Sequence, residues 1–218
     1  MNRLPQLKPV SMRESVGEAV RKALHQRRFR AGEPLSEAGL AAEMGISRGP
    51  VREALLVLVQ EGLLTHSPNR GFSVVNFTGE DLREINQVRI PLEGTALRLA
   101  KPNVSSGDVD RLSELRSEMV KTYKAEDFLT CSRADMGFHR LIWERTGNGR
   151  LSTTLNTLLA PFFAYGSLYN IGRSELTPAL LHDEHQAFID FLTGQEKRSA
   201  EECVRFHLTI SSFEKKAN

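Results

Sequence analysis

The sequence predicts a mainly α-helical chain in two parts: an N-terminal winged helix-turn-helix with a small β-hairpin wing, and a C-terminal all-helical bundle. Three observations predict this. Residues 36–58 contain two short segments with helical apolar spacing, separated by Gly45. Two short alternating segments, 63–65 and 72–75, follow at once and enclose a turn-rich tip. From residue 79 onward, six segments with helical periodicity succeed one another with no convincing strand between them.

Taken in order, residues 1–9 carry Pro5 and Pro9 and read as a frayed end. Residues 11–27 form an amphipathic helix, with Val16, Ala19, Val20, Ala23 and Leu24 inward and Arg13, Arg21 and Lys22 outward. Residues 30–34 read as a turn. Ser36 caps the next helix, whose Leu40, Ala41 and Met44 share a face. Gly45 ends it, because glycine enters the left-handed region without steric cost. Ser47 is placed to cap the second helix. Pro50 costs little there, since first-turn amides lack intrahelical partners. Val51, Leu55 and Leu58 make its buried stripe.

Arg48 and Arg52 lie four apart near the start of that second helix, on one face. Arginine in this place suits the major groove, where it forks onto guanine O6 and N7 or clamps a phosphate. A solvated charged face is the plainer reading of the same two residues. The hairpin shifts the balance: Arg70, in its His66-to-Gly71 tip, suits the minor groove or the phosphate backbone. Charge is distributed accordingly. Residues 1–78 hold 11 lysines and arginines against 7 aspartates and glutamates, while residues 79–218 hold 18 against 20.

The run LAAEMGISRGPVREALLVLVQEGLL, followed by NRGFSV, resembles the winged-helix domain of the GntR family of bacterial transcription regulators. The resemblance covers about residues 10–76 and is most specific in the Ser-Arg-x-Pro-Val-Arg-Glu-Ala-Leu core. It implies that Ser47, Arg48, Arg52, Arg70 and Gly71 contact double-stranded DNA. Gly49 stands where a threonine is common and Ala38 where some members place an arginine, so neither of those contacts is carried over.

Thr78 caps the first helix of the second part, with Glu80 and Asp81 in its favourable first turn, which places the boundary at 76–79. The expected domains are residues 1–78 for DNA binding and 79–218 for effector binding and dimerisation. Helices are predicted at 79–100, 106–124, 126–146, 149–172, 177–193 and 197–214, with Pro91 and Pro161 kinking or interrupting theirs. Asp135 and His139 lie four apart on one helix face. His185 and His207 sit on two later helices among apolar neighbours. Three imidazoles and a carboxylate suit zinc, nickel, manganese or iron better than calcium. Taken alone, each histidine reads as a hydrogen-bonded core residue and Asp135 with His139 as a helix-surface pair, and His182 is a rival ligand that reads as a rim residue.

The segments DMGFHRLIWERTGN, EHQAFIDFLTG and VRFHL resemble the signatures of the FCD effector domain, the all-helical partner in one branch of the GntR family. That resemblance implies a divalent metal held by Asp135, His139, His185 and His207. It also implies that Arg89, in Arg-Ile-Pro-Leu-Glu93, faces the ligand cavity. An arginine beside a metal suits a small carboxylate or sugar acid, although an internal salt bridge to Glu93 is the alternative. Gln195 departs from the pattern outside the ligand set. Tyr165 and Tyr169 read as core aromatics with a second reading as pocket lining.

The expected function is therefore a ligand-responsive regulator, acting as a repressor. It is expected to bind a palindromic operator as a homodimer, because one recognition helix reaches only a few base pairs. A metal-dependent hydrolase or lyase is the rival, weakened by the lack of an evident general base; no catalytic residue is assigned. A regulator whose signal is the metal itself is the third reading. Cys131 and Cys203 make no disulfide framework, and no segment is apolar enough to span a membrane, so a cytoplasmic protein is expected.

Overall fold

The computed structural model describes residues 11–26, 28–169 and 176–209, with backbone alone at 165–169 and at 209. The chain divides into two compact units, Met1–Val75 and Asn76–Asn218.

In the first unit, α1 (Met12–His25) begins at a reciprocal cap in which the Ser11 hydroxyl accepts from the Glu14 amide and the Glu14 carboxylate accepts from the Ser11 amide. It buries Val16, Gly17, Val20 and Leu24 against α3, whereas Ala19, expected inside, is exposed. Helix α2 (Glu37–Met44) ends at Gly45, whose φ of 66° lies in the left-handed region. Its amide bonds back to the Ala41 and Ala42 carbonyls, closing the turn into α3 (Arg48–Gln60). Val51, Ala54, Leu55 and Leu58 are the buried face of α3.

Strands β2 (Leu64–Ser67) and β3 (Gly71–Val74) form the wing hairpin, antiparallel, with Ser67 opposite Gly71. A third strand, β1 (Pro34–Leu35), pairs with the other edge of β3, giving the order β1-β3-β2. The sequence shows only a turn there, because two residues are too few to display alternation. Pro34 is tolerated at a sheet edge. The bonds from the Gly32 amide to the Val74 carbonyl (3.1 Å) and from the Val74 amide to the Glu33 carbonyl (2.9 Å) tie the segment down.

The second unit is helical throughout its described residues: α4 (Gly79–Ala100), α5 (Ser106–Lys124), α6 (Phe128–Glu144), α7 (Gly149–Tyr169), α8 (Pro178–Thr193) and α9 (Ala200–Thr209). A single 3₁₀ turn, Lys101–Asn103, follows α4. Two helix starts fall later than the spacing predicts. At α6, Glu126 adopts a positive φ of 59° and Asp127 caps the helix through the Thr130 amide. At α9, the Glu196 carboxylate accepts from the amides of Lys197 and Arg198, holding them out of the helix, and Ser199 caps through the Glu202 amide. The expected ends of the helices reaching 172 and 214 lie outside the described residues.

Helix α6 packs against α5 on one side and α7 on the other, while α4 packs on α9, α6 and α7. One apolar cluster gathers Leu112, Met119, Phe138, Ile142, Phe188 and Val204; a second gathers Ala96, Trp143, Leu155, Leu159 and Phe163. Where α4 meets α9, the Glu201 side chain lies over Gly94, at which a Cβ would sit 2.7 Å from Glu201 Oε1. Glu201 also pairs with Arg98 of α4 at the surface.

Candidate metal centre and nucleic-acid interface

Burying a charged side chain is costly unless it is paired, so a cluster of buried ionisable groups points to chemistry. The interior of the second unit contains Arg89 and Glu93 from α4, Asp135 and His139 from α6, Glu184 and His185 from α8, and His207 from α9. All are buried, the most exposed being His207 at 8%. Helical period explains each pair: 89 and 93, and 135 and 139, are four apart and therefore share a face.

Asp135, His139, His185 and His207 each offer one ligand atom, and those atoms lie within 4.8 Å of one another. A tetrahedral ion with bonds of about 2.1 Å sets its ligands about 3.4 Å apart. The set is thus slightly open and closes with small side-chain movements. His185 Nε2 lies 3.1 Å and His139 Nε2 3.5 Å from the same oxygen, Asp135 Oδ1. His139 Nε2 and His207 Nδ1 are buried without a hydrogen-bond partner among the described residues. Burial without a partner is what an imidazole awaiting a cation shows. The donor set fits the metal implied by the sequence.

The protonation of these groups follows the same crowding. Burial opposes charge on Asp135, yet the His139 and His185 rings beside it hold its carboxyl well below the usual range. Burial likewise opposes charge on Glu93, and Arg89 with His139 pulls its carboxyl down. His139 would be pushed down by burial, but Glu93 and Asp135 raise it to about 9. His207 falls well below its ordinary value through burial and the repulsion of His185, His139 and Arg89.

Arg89 stands at this cluster and is already engaged on one edge: its Nε donates to Glu93 Oε2 at 2.7 Å. Its guanidinium lies 5.6 Å from the ring centres of both Phe162 and Phe163. Nη2 is buried with no partner among the described residues. The salt bridge to Glu93 and a buried donor edge left over within the site therefore coexist. His182 does not join the cluster: it is half exposed and faces its neighbour Asp183 at 3.0 Å. His25 and His66 belong to the first unit. The side chains of Tyr165 and Tyr169 lie outside the described residues. Glu93 and Glu184 belong to the site more closely than their sequence positions suggest, Glu184 Oε1 lying 3.6 Å from His185 Nδ1 and 3.5 Å from His207 Nδ1. For Glu93 the signal in the sequence is its spacing of four from Arg89; Glu184, the chain neighbour of His185, has no such register.

In the first unit, Arg48 and Arg52 are exposed on the leading turns of α3. Arg52 Nη1 lies 3.1 Å from Glu37 Oε1 of α2, an ion pair at the surface. Ser47 holds the N-cap position in extended conformation, but its hydroxyl makes no capping bond and is exposed. Arg70 is exposed at the hairpin tip, between Asn69 (φ 66°) and Gly71 (φ 74°), with its amide bonded to the Ser67 carbonyl.

A helix-turn-helix with a wing, joined to a helical unit with a buried polar site, defines a DNA-binding, ligand-responsive class of protein. The family comparisons agree: residues 12–74 match "Bacterial regulatory proteins, gntR family" and residues 84–209 match "FCD domain". This chain belongs to the GntR family of transcription regulators, in the branch with an FCD effector domain. The Nta operon transcriptional regulator of Aminobacter aminovorans is 37% identical over 183 residues, spanning 83% of this chain and 81% of the relative. The transcriptional regulator McbR of Escherichia coli K12 is 28% identical over 200 residues, 90% of this chain and 88% of the relative. The solved structure of E. coli McbR/YncC superposes with a TM-score of 0.63 at 25% identity, covering 93% of this chain and 97% of that one. Proteins of this family are transcription regulators rather than enzymes, which sets aside the hydrolase or lyase alternative. No helix among the described residues is long and apolar enough to cross a membrane.

Proposed function

We propose that residues 79–218 hold one divalent ion through Asp135, His139, His185 and His207, and that a small carboxylate or sugar acid bound there is the regulator's signal. The ion would take one oxygen of that anion. Arg89 would donate to another through Nη2, the buried donor without a partner among the described residues. The observation that carries the reading is the convergence of four buried ligand atoms within 4.8 Å. Zinc, nickel, manganese and iron all suit three imidazoles and a carboxylate.

Residues 1–78 are the DNA-binding part, with Ser47, Arg48, Arg52, Arg70 and Gly71 contacting a palindromic operator. The protein acts in the cytoplasm as a homodimeric repressor. Effector binding and DNA binding are linked: an effector that weakens operator binding must itself bind the operator complex more weakly by the same factor.

A thermal-shift screen of organic and sugar acids against the full chain, with and without chelator, tests this reading. A ligand of the folded state raises the melting temperature in a concentration-dependent way. The expected result is a shift by one class of acid that chelator abolishes and that accompanies release of DNA. Shifts indifferent to chelator contradict the metal-held anion. DNA release by metal alone, with no acid required, makes the ion itself the signal.

A further inference from the structure

A histidine ligates through whichever ring nitrogen its other partner leaves free. For His185 the assignment follows from chemistry. Its Nδ1 lies 2.8 Å from the Leu181 carbonyl oxygen, which only accepts, so Nδ1 carries a proton; Nε2, 3.1 Å from Asp135 Oδ1, is the nitrogen that can exchange its contact with that carboxylate for a cation. His139 is held differently. Its Nδ1 faces a side chain, Glu93 Oε1, at 2.9 Å, while its Nε2 faces Asp135. The Glu93 contact has the length of a hydrogen bond without the alignment of one, leaving Oε1 formally unpartnered. A small ring rotation toward a cation beside Asp135 would complete it.

Glu93 is only 2% exposed, and its second oxygen holds Arg89 Nε. A buried ion pair alone is a poor reason for such a residue, since apolar replacements of similar volume often cost nothing. An ion pair also does not account for the oxygen turned toward the imidazole. We propose that Glu93 is a positioning residue. One carboxylate oxygen commits His139 to bind metal through Nε2, and the other anchors Arg89, so both halves of the ligand site hang on one side chain of α4. The inference rests on the metal site proposed above and assigns a residue outside its ligand set.

The test is zinc titration of the full chain, stripped and reloaded, in competition with a chromophoric chelator. Glu93→Gln keeps the volume but removes the charge and replaces one of the two acceptor oxygens by an NH2 donor, so it cannot accept from both His139 and Arg89. The expected result is wild-type binding of one zinc per chain and 10–100-fold weaker binding by Glu93→Gln, the usual loss when an outer partner of a ligating histidine is removed (about that range). Glu93→Asp should recover part of it. A purely structural role would lower the melting temperature of the metal-free protein and leave the zinc affinity of the folded protein unchanged, and equal affinities overturn the proposal. If wild type itself takes up no zinc, the metal site falls first, and the two failures are distinct. Nitrogen-15 NMR of histidine in zinc-loaded wild type decides the matter even if Glu93→Gln does not fold. His139 protonated at Nδ1 and ligated at Nε2 is expected, and ligation through Nδ1 overturns the assignment.

Discussion

Arg52→Ala separates the DNA-reading role of α3 from its packing. The Arg52 side chain is 55% exposed and its partner among the described ion pairs is Glu37, at 3.1 Å. Such a surface pair contributes at most about 1 kcal/mol, so the melting temperature of the variant should barely move. If the guanidinium forks onto a base or clamps a phosphate, its loss costs on the order of 1–3 kcal/mol of operator affinity. That corresponds to a weakening of about 5–150-fold. Fluorescence anisotropy on a duplex selected by wild type from a random pool gives the number, and a salt series gives its origin. A phosphate contact lowers the slope of log affinity against log salt by about one, whereas a base contact leaves the slope and relaxes sequence preference. Glu37→Gln, which frees the guanidinium, should tighten binding slightly. Unchanged affinity of Arg52→Ala at moderate salt would refute the placement of α3 in the groove.

Three further outcomes follow from the second unit. Zinc affinity should rise with pH and level off near 9: burial disfavours charge on His139, but Glu93 and Asp135 raise its ring to about 9 in the metal-free protein, so below that pH a proton occupies a ligand; competition titrations between pH 6 and 9 read this. Phe138→Ala should cost about 3–5 kcal/mol in denaturant unfolding, because the ring is fully buried and packs 4.9 Å from His185 and 6.1 Å from Phe188, between centres; zinc uptake should weaken with it. Arg145→Met should flatten the acid limb of stability: hydrogen bonds from Arg145, then Ser105, hold the Asp108 carboxyl below its ordinary value, so its contribution is present above about pH 4 and lost as pH falls below it, as acid unfolding curves of the two proteins would record.

Much of this was legible in the residues. Long helical periods carried α4 to α8, and Gly45 between two capped apolar stripes carried the helix-turn-helix. What the sequence hid is local or crosses between elements. Strand β1 is two residues long and shows no period. The starts of α6 and α9 were displaced by Asp127 and by Glu196 with Ser199, side chains that bond backbone amides in competition with the helix. At the site, Asp135 and His139 announce themselves by spacing. Nothing within α8 or α9 says that His185 and His207 meet them, and that step came from the family resemblance. Glu93 could be read as the partner of Arg89 from their spacing, but its second contact, to His139, spans two helices and has no signature along one chain segment.

The central claim is tested most directly by metal content. The full chain is stripped with chelator, incubated with zinc, dialysed and assayed by elemental analysis beside His139→Ala and His207→Ala, with circular dichroism confirming the helices. The account expects one zinc per wild-type chain, retained through dialysis and lost from both variants. Full metal content in the variants, or none in the wild type, would contradict it.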